Sequence, residues 1–572
     1  MIMTKMRKPI TVLLVMTIML ASVLSGCGKS GKSDGAKVNL NATQTTGEVN
    51  AYGWEMPKET IKMDVFSAMQ SSPDDMKKYN EKMRAYLLKN FNVDLNIFCY
   101  DTNPDERLNL MLSSNDYPEC IMYLNASQAQ KFINMKKALP LDELMENTTD
   151  LKKRYERYAP MLRSDDNKLY QLLDQCANAD LNLQIPCADT APMLRLDWYK
   201  EIGSPDISTP DKYLDALKQM VANHPTTPSG KKTYGISFYD TKSSSITPSF
   251  ISWIGGMFGL KQGWDIDSSN NVVHWLNSEK GMKLIKWLNQ LNREGLLDPE
   301  GFMTPVESWG EKGVDQRYAG YMGPWFQPGY YISDNWMKLM GDKYPEDMRY
   351  VHYNVKDPEI DHATYNPKSA LGSRVILTDK CKNPADYMRW FDFEQSDIGV
   401  KLMGYGIPNE PDSIWTYDEK TKEAKFTEKA VKEITAEKSS FDFDPYMLLG
   451  GECQMVITGT AETLADGTNC WFNQSNKDKW KKLKDENLKD TFYDNTAMAA
   501  IVMDPNDPLT AKKQRCADII MTGYSKAVLA KTEEECITII EKTKEDAVRA
   551  GLNEIQKFYD ENYKTNLKKW GK

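Results

Sequence analysis

A chain of 572 residues is well past the ~250–300 at which one hydrophobic core stops growing, so at least two domains are expected. With 41% hydrophobic and 27% charged residues, the composition is that of a globular protein. The net charge of −9 counts against nucleic acid as a partner, and with no Walker A loop and no G-x-G-x-x-G turn a nucleotide cofactor has no cradle.

Residues 1–8 carry Lys5, Arg7 and Lys8, and "PITVLLVMTIMLASVL" (9–24) is an uncharged run of 16, shorter than the ~20 residues of a spanning helix. A basic start, a short apolar run and the small residues Ser25 and Gly26 before Cys27 form the layout of a secretory signal. Leu24-Ser25-Gly26-Cys27 resembles the lipobox of bacterial lipoproteins. That resemblance implies a signal peptide over 1–26, lipidation of Cys27, and a location on the outer, extracellular face of the cytoplasmic membrane. Residues 28–50 are rich in Gly, Ser, Thr, Asn and Lys without a period, which predicts a flexible tether over 27–55 behind the lipidated cysteine.

From Glu59 short apolar runs alternate with amphipathic helices. "TIKMDVFSAM" (60–69), "VDLNIFCY" (93–100) and "ECIMYL" (119–124) read as strands. Between them lie a helix opened by Ser72 and Pro73 and a second over 103–114, so a parallel sheet with helices on both faces is expected. Further helices carry start and stop signals: Thr209-Pro210, Ser278 with Gly295 at its end, Asn383-Pro384, and a Thr532/Glu535 capping box. The last helix lines up Ile555, Tyr559, Tyr563, Leu567 and Trp570 on one face.

Ten cysteines occur without a C-x-x-C spacing, and once Cys27 is set aside an odd number remains, so a dense disulfide framework is not expected. His224, His274, His352 and His362 are far apart and none lies in an H-E-x-x-H or H-x-E frame; no metal site and no cofactor are expected. "DIDSSNN" (265–271) has alternating oxygen ligands but lacks the Gly and Glu of a calcium loop, and reads as a solvated turn.

"LNLMLSSNDYPECIMY" (108–123), "FINMKKALPLDELMEN" (132–147), "NKLYQLL" (167–173), "MLRLDWYKEIGSPDISTPDKYLDAL" (193–217), "LNQLNREGLLDPEGF" (288–302) and "YAGYMGPWFQPGY" (318–330) follow one another in a familiar order. Together they resemble the extracellular solute-binding lipoproteins of ABC importers, in particular the large family 1 carbohydrate binders, over roughly residues 60–400. The resemblance implies a periplasmic-binding-protein-like (type II) α/β fold of two lobes with a hinge and a ligand cleft between them. Lobe one would hold residues 56–190 plus about 375–455, and lobe two 191–374 plus about 456–572. It also implies ABC permease transmembrane subunits as partners, with the binding protein a monomer and not an enzyme.

Sugars present apolar C–H faces and rings of hydroxyls, so their sites combine flat aromatics with amides and carboxylates. Trp325 is the first candidate, because Gly323 and Pro324 make an irregular strand end and because the resemblance sets a stacking ring there; packing in a core is the competing use. Trp253 precedes two glycines that would let backbone approach a ligand. Trp415 and Trp471 lie in polar, turn-rich text. Gln70, Asp101 and Asn125 follow the first three strands and should share one rim, some only as helix caps. Tyr330 and Arg374 complete the set.

The reading is oligosaccharide capture for an importer. Two alternatives stay open: a peptide or other solute bound or sensed by the same fold, and a surface glycosidase, for which a carboxylate pair would be needed that sequence cannot locate.

Overall fold

Ile61, Met63 and Val65 are buried while Lys62 and Asp64 are exposed, the period-two pattern of a strand with one face on a core. The computed structural model describes residues 39–68, 73–100, 103–173, 190–239, 245–434 and 479–572. Within them, two sheets organise the chain. Their strands are β1 (Ile61–Ser67), β2 (Val93–Phe98), β3 (Cys120–Leu124), β4 (Leu172–Leu173), β5 (Thr190–Arg195), β6 (Tyr234–Ser237), β7 (Tyr318–Pro324), β8 (Tyr350–His352) and β9 (Arg374–Leu377).

The first sheet has the order β2-β1-β3-β9-β4. β1 runs parallel to β2 and β3, whereas β9 runs antiparallel to β3 and β4. The parallel pairing expected from the strand–helix alternation holds for β1, β2 and β3, and β9 makes the completed sheet a mixed one. The reason is connectivity: β9 is reached only after the chain has built the second sheet, and it returns into the first between β3 and β4. The second sheet has the order β8-β5-β7-β6, with β7 antiparallel to β5 and parallel to β6. Both sheets lie in one compact unit, Leu40–Lys572; the chain up to Asn39 is a separate unit, outside the described residues except for Asn39 itself.

Helix signals in the sequence operate as local chemistry demands. Thr209 accepts from the Lys212 amide at the start of helix Pro210–Asn223, and Ser278 from the Lys280 amide at the start of helix Glu279–Arg293. Thr532 accepts from the Glu535 amide, and Glu535 returns a bond to Lys531 rather than to Thr532 itself, so the box is offset by one residue. Asn383 does not cap with its side chain: its backbone, at φ −126° and ψ 65°, is outside the extended region an N-cap adopts.

The C-terminal helices Pro508–Val528, Glu533–Ala550 and Leu552–Lys569 join the second sheet's core, where Ile520, Tyr524, Ile540 and Ile555 meet Leu284, Leu288 and Leu291. Asn289, buried in that contact, donates to the carbonyls of Ala527, Val528 and Ala530 at 3.3, 3.1 and 2.8 Å. It thereby satisfies carbonyls that a helix end leaves without intrahelical partners. On the last helix Ile555 and Tyr563 are buried, Tyr559 and Leu567 half-buried against them, and the Trp570 indole donates to Asp494.

Among the described residues, Cys99, Cys120, Cys381, Cys516 and Cys536 are free thiols. No group of three or more His, Cys, Asp or Glu there could hold a metal ion, and no described helix is long and apolar enough to cross a membrane. In the segment 265–271, Asp267 accepts from the Ser269 and Asn271 amides and so closes a hairpin turn, while Asp265 pairs with Lys280 at the start of helix Glu279–Arg293.

Candidate functional site

β1, β2 and β3 run parallel and finish at the same end of the first sheet, the end at which β9 begins: Arg374 stands opposite Leu124 and Leu173. In the second sheet, β7 finishes with Pro324 opposite Thr190, the first residue of β5. The chain passes between the sheets from Leu173 to Thr190 and back from His352 to Arg374. The carboxyl ends of β3 and β7 therefore both lie where the chain crosses. Carboxyl ends of strands at a topological switch are where open α/β sheets hold ligands.

Trp325 follows Pro324 directly and is 38% exposed. Phe326 (40%) and Tyr330 (58%) stand beside it, with ring centroids 6.3 and 5.9 Å from the indole. The helical turn Phe326–Pro328 and the wider turn Gly329–Ser333 curl the chain back, so three aromatics of one short segment share a surface. Lys484, on helix Lys479–Leu488, holds its ammonium 5.7 Å from the Trp325 ring. A platform of exposed rings beside a cation suits a ligand with apolar C–H faces and oxygen-rich edges.

The other candidates fall in different places. Trp253 is half-buried against the second sheet's core, edge-on to Tyr239 with centroids 6.2 Å apart. The two glycines after it do not open backbone to a ligand. A Cβ on Gly256 would stand 2.5 Å from the Thr364 carbonyl, so Gly256 admits the chain's own crossing segment, and Gly255 faces Leu260. Trp415 is corrected from ligand contact to core: it is 1% exposed, its indole donates to the Gly406 carbonyl at 2.8 Å, and it closes the hairpin Trp415–Asp418/Glu423–Phe426. Polar text surrounds it because the hairpin turn is solvated while its inner face is not.

Arg374 is likewise corrected, at 3% exposure, with its guanidinium turned to the Gly372 carbonyl just before β9. Asn125 is exposed at the rim but serves as a helix cap: it accepts from the Gln128 amide while Gln128 Oε1 accepts from the Asn125 amide, a complete capping box. Gln70, Asp101 and Trp471 lie outside the described residues. Sequence reasoning passed over Phe326 and Lys484. Phe326 could have been found from the spacing Trp-Phe-x-x-x-Tyr in a Pro- and Gly-bounded turn, whereas Lys484 comes from 159 positions downstream and left no local signal.

No protein-family model matches the chain. A stretch of 269 residues is 25% identical to the fructooligosaccharide ABC transporter substrate-binding protein FusA of Streptococcus pneumoniae, and covers 44% of this chain and 48% of that protein. The alignment thus spans about half the length of the curated relative. The structure of S. pneumoniae FusA as an EF-hand mutant with fructo-nystose superposes with a TM-score of 0.60 at 15% identity, over 88% of this chain and 99% of that one. The fold is that of the ABC-transporter solute-binding proteins. A solute-binding protein of Bifidobacterium longum infantis, described as HMO-binding and ABC-transporter associated, matches equally well, with a TM-score of 0.60 at 13% identity over 88% of this chain and 98% of that one. The α/β solute-binding-protein fold expected from the sequence is therefore the one found, and these relatives are substrate-binding proteins rather than enzymes.

Proposed function

We propose that this protein is the substrate-binding component of an ABC importer, anchored by a lipid on Cys27 outside the cytoplasmic membrane, and that it captures an oligosaccharide between its two sheets. The observation that carries the reading is the exposed aromatic cluster Trp325, Phe326 and Tyr330 at the carboxyl end of β7, where the chain crosses between sheets. Flat rings there bury the C–H face of a pyranose or furanose, while its hydroxyls need polar groups from the opposite rim. One solute-binding protein of similar fold, S. pneumoniae FusA, is seen in complex with fructo-nystose and with kestose, which makes fructans the first class to try. Closing two α/β halves about the crossings would bring the rims together and present a closed form to a permease.

The test is thermal unfolding of residues 28–572 with kestose, nystose, milk oligosaccharides and tri- to pentapeptides. A ligand that binds only the folded state adds RT ln(1 + [L]/Kd), about 2.7 kcal/mol at a hundredfold excess over Kd. A shift with a glycan that survives the incubation intact is expected. A shift with peptides alone, or cleavage of the glycan, overturns the reading.

A further inference from the structure

Beneath the exposed rings runs a buried polar chain that packing alone does not call for. Gln327 is 4% exposed and clamped at both ends: the Tyr321 hydroxyl donates to its Oε1, and its Nε2 donates to the Tyr239 hydroxyl. Both phenols stay protonated at neutral pH, because burial pushes Tyr321 well above its ordinary value and Tyr239 up to about 12. Tyr321 belongs to β7, and its hydroxyl lies 2.5 Å from where a Gly323 Cβ would stand, so Gly323 is what lets the phenol reach Gln327. Tyr239, just past β6, packs edge-on against Trp253.

An amide sealed between two phenols is a costly way to fill space: each group would lose ~1–3 kcal/mol if left unsatisfied, whereas Leu or Met would fill the same volume without that risk. What the amide supplies is direction, since it has one acceptor end and one donor end and fits these two hydroxyls in one orientation. It lies two residues after Trp325 and three before Tyr330, inside the turn that displays them.

We propose that Gln327 is a positioning residue for ligand capture, which locks the Trp325–Tyr330 turn to Tyr239 at the end of β6 and so fixes the aromatic surface of Trp325, Phe326 and Tyr330 that a ligand would meet. This rests on the oligosaccharide reading above. Gln327 itself touches no ligand.

Three variants test it: Gln327→Leu, Gln327→Glu and Tyr239→Phe, each in protein labelled with 5-fluorotryptophan, the Trp325 fluorine resonance being assigned by its loss in Trp325→Phe. Gln327→Leu should shift or broaden that resonance and weaken kestose binding at least tenfold. Gln327→Glu supplies a readout that a merely space-filling role would not move. A protonated carboxyl accepts from Tyr321 and donates to Tyr239 as the amide does, and a carboxylate cannot donate. Its resonance and kestose affinity should return toward those of the parent between pH 7.5 and 5, while the parent stays flat over the same range. Tyr239→Phe, which removes one acceptor and keeps the ring, should move the resonance in the same direction as Gln327→Leu and serves if the glutamate variant does not fold.

An unmoved Trp325 resonance in Gln327→Leu, or a glutamate variant indifferent to pH, overturns the proposal. If the parent binds no oligosaccharide, the capture reading falls on that result, and the fluorine spectra still decide the positioning role.

Discussion

The Asn366 side chain donates to the Thr491 hydroxyl at 2.7 Å and accepts from the Thr190 backbone N–H at 3.2 Å. Thr190 ends the first passage between the sheets, Asn366 lies in the second, and Thr491 follows helix Lys479–Leu488, so one buried amide ties both passages to the chain beyond that helix. The parallel pairing of Asn366–Lys368 with Phe492–Asp494, and the bond from the Ala370 amide to Thr496, extend the same tie. Asn366→Ala leaves the Thr190 amide without this partner, while the Thr491 hydroxyl keeps its bond to the Leu488 carbonyl, and should cost about 1–3 kcal/mol for the one orphaned group. Asn366→Asp, which also buries a charge, should cost more. Urea unfolding measures both, and a loss below 1 kcal/mol would show that the amide is not what holds the crossings.

Trp325 and Trp415 should behave as opposites. Trp325→Ala removes a ring that is 38% exposed, so stability should change by less than about 1 kcal/mol, while kestose affinity falls tenfold or more. Trp415→Ala empties a buried site and should cost about 3–5 kcal/mol with affinity retained in the folded fraction. Calorimetric titration beside thermal melts separates the two; equal affinity in Trp325→Ala would remove it from the site.

His274 makes stability depend on acid. Burial lowers its pKa from 6.5 to about 3, its Nε2 donating to the Ile246 carbonyl at 3.1 Å and its Nδ1 accepting from the Leu276 amide at 3.3 Å. A depressed histidine is neutral in the fold and charged in the unfolded chain below pH 6.5. The unfolded state therefore binds more protons between about pH 6.5 and 3, and stability falls as pH drops through that window. The contribution lost by pH 4 is about 3 kcal/mol at 1.36 kcal/mol per unit. His274→Gln should start less stable at pH 7.5 and decline less steeply on acidification. Parallel slopes of Tm against pH would reject the assignment.

Cys27 is tested by labelling. Cells given an alkynyl fatty acid should incorporate it into the full-length protein and fractionate it with membranes; Cys27→Ser should abolish both. Labelling that survives the substitution would place the lipid elsewhere or rule it out.

The sequence by itself determined the elements and the fold class. Period-two burial, Pro and Thr at helix starts and strand–helix alternation are local signals, and Thr209, Ser278 and Asn125 do in the fold what their chemistry dictates. Trp325 and Tyr330 were legible as candidates because Gly and Pro punctuate a strand end, which is again local. What only the tertiary structure decided was which side of a surface each side chain takes. Trp415 and Arg374 are buried, and Gly256 receives Thr364, because segments far away in sequence close over them. The antiparallel entry of β9, the three-way tie at Asn366 and the Tyr321–Gln327–Tyr239 chain arise the same way. Each joins residues brought together by the fold, and polar groups seek such partners only once burial has removed water, a condition no single stretch of sequence records.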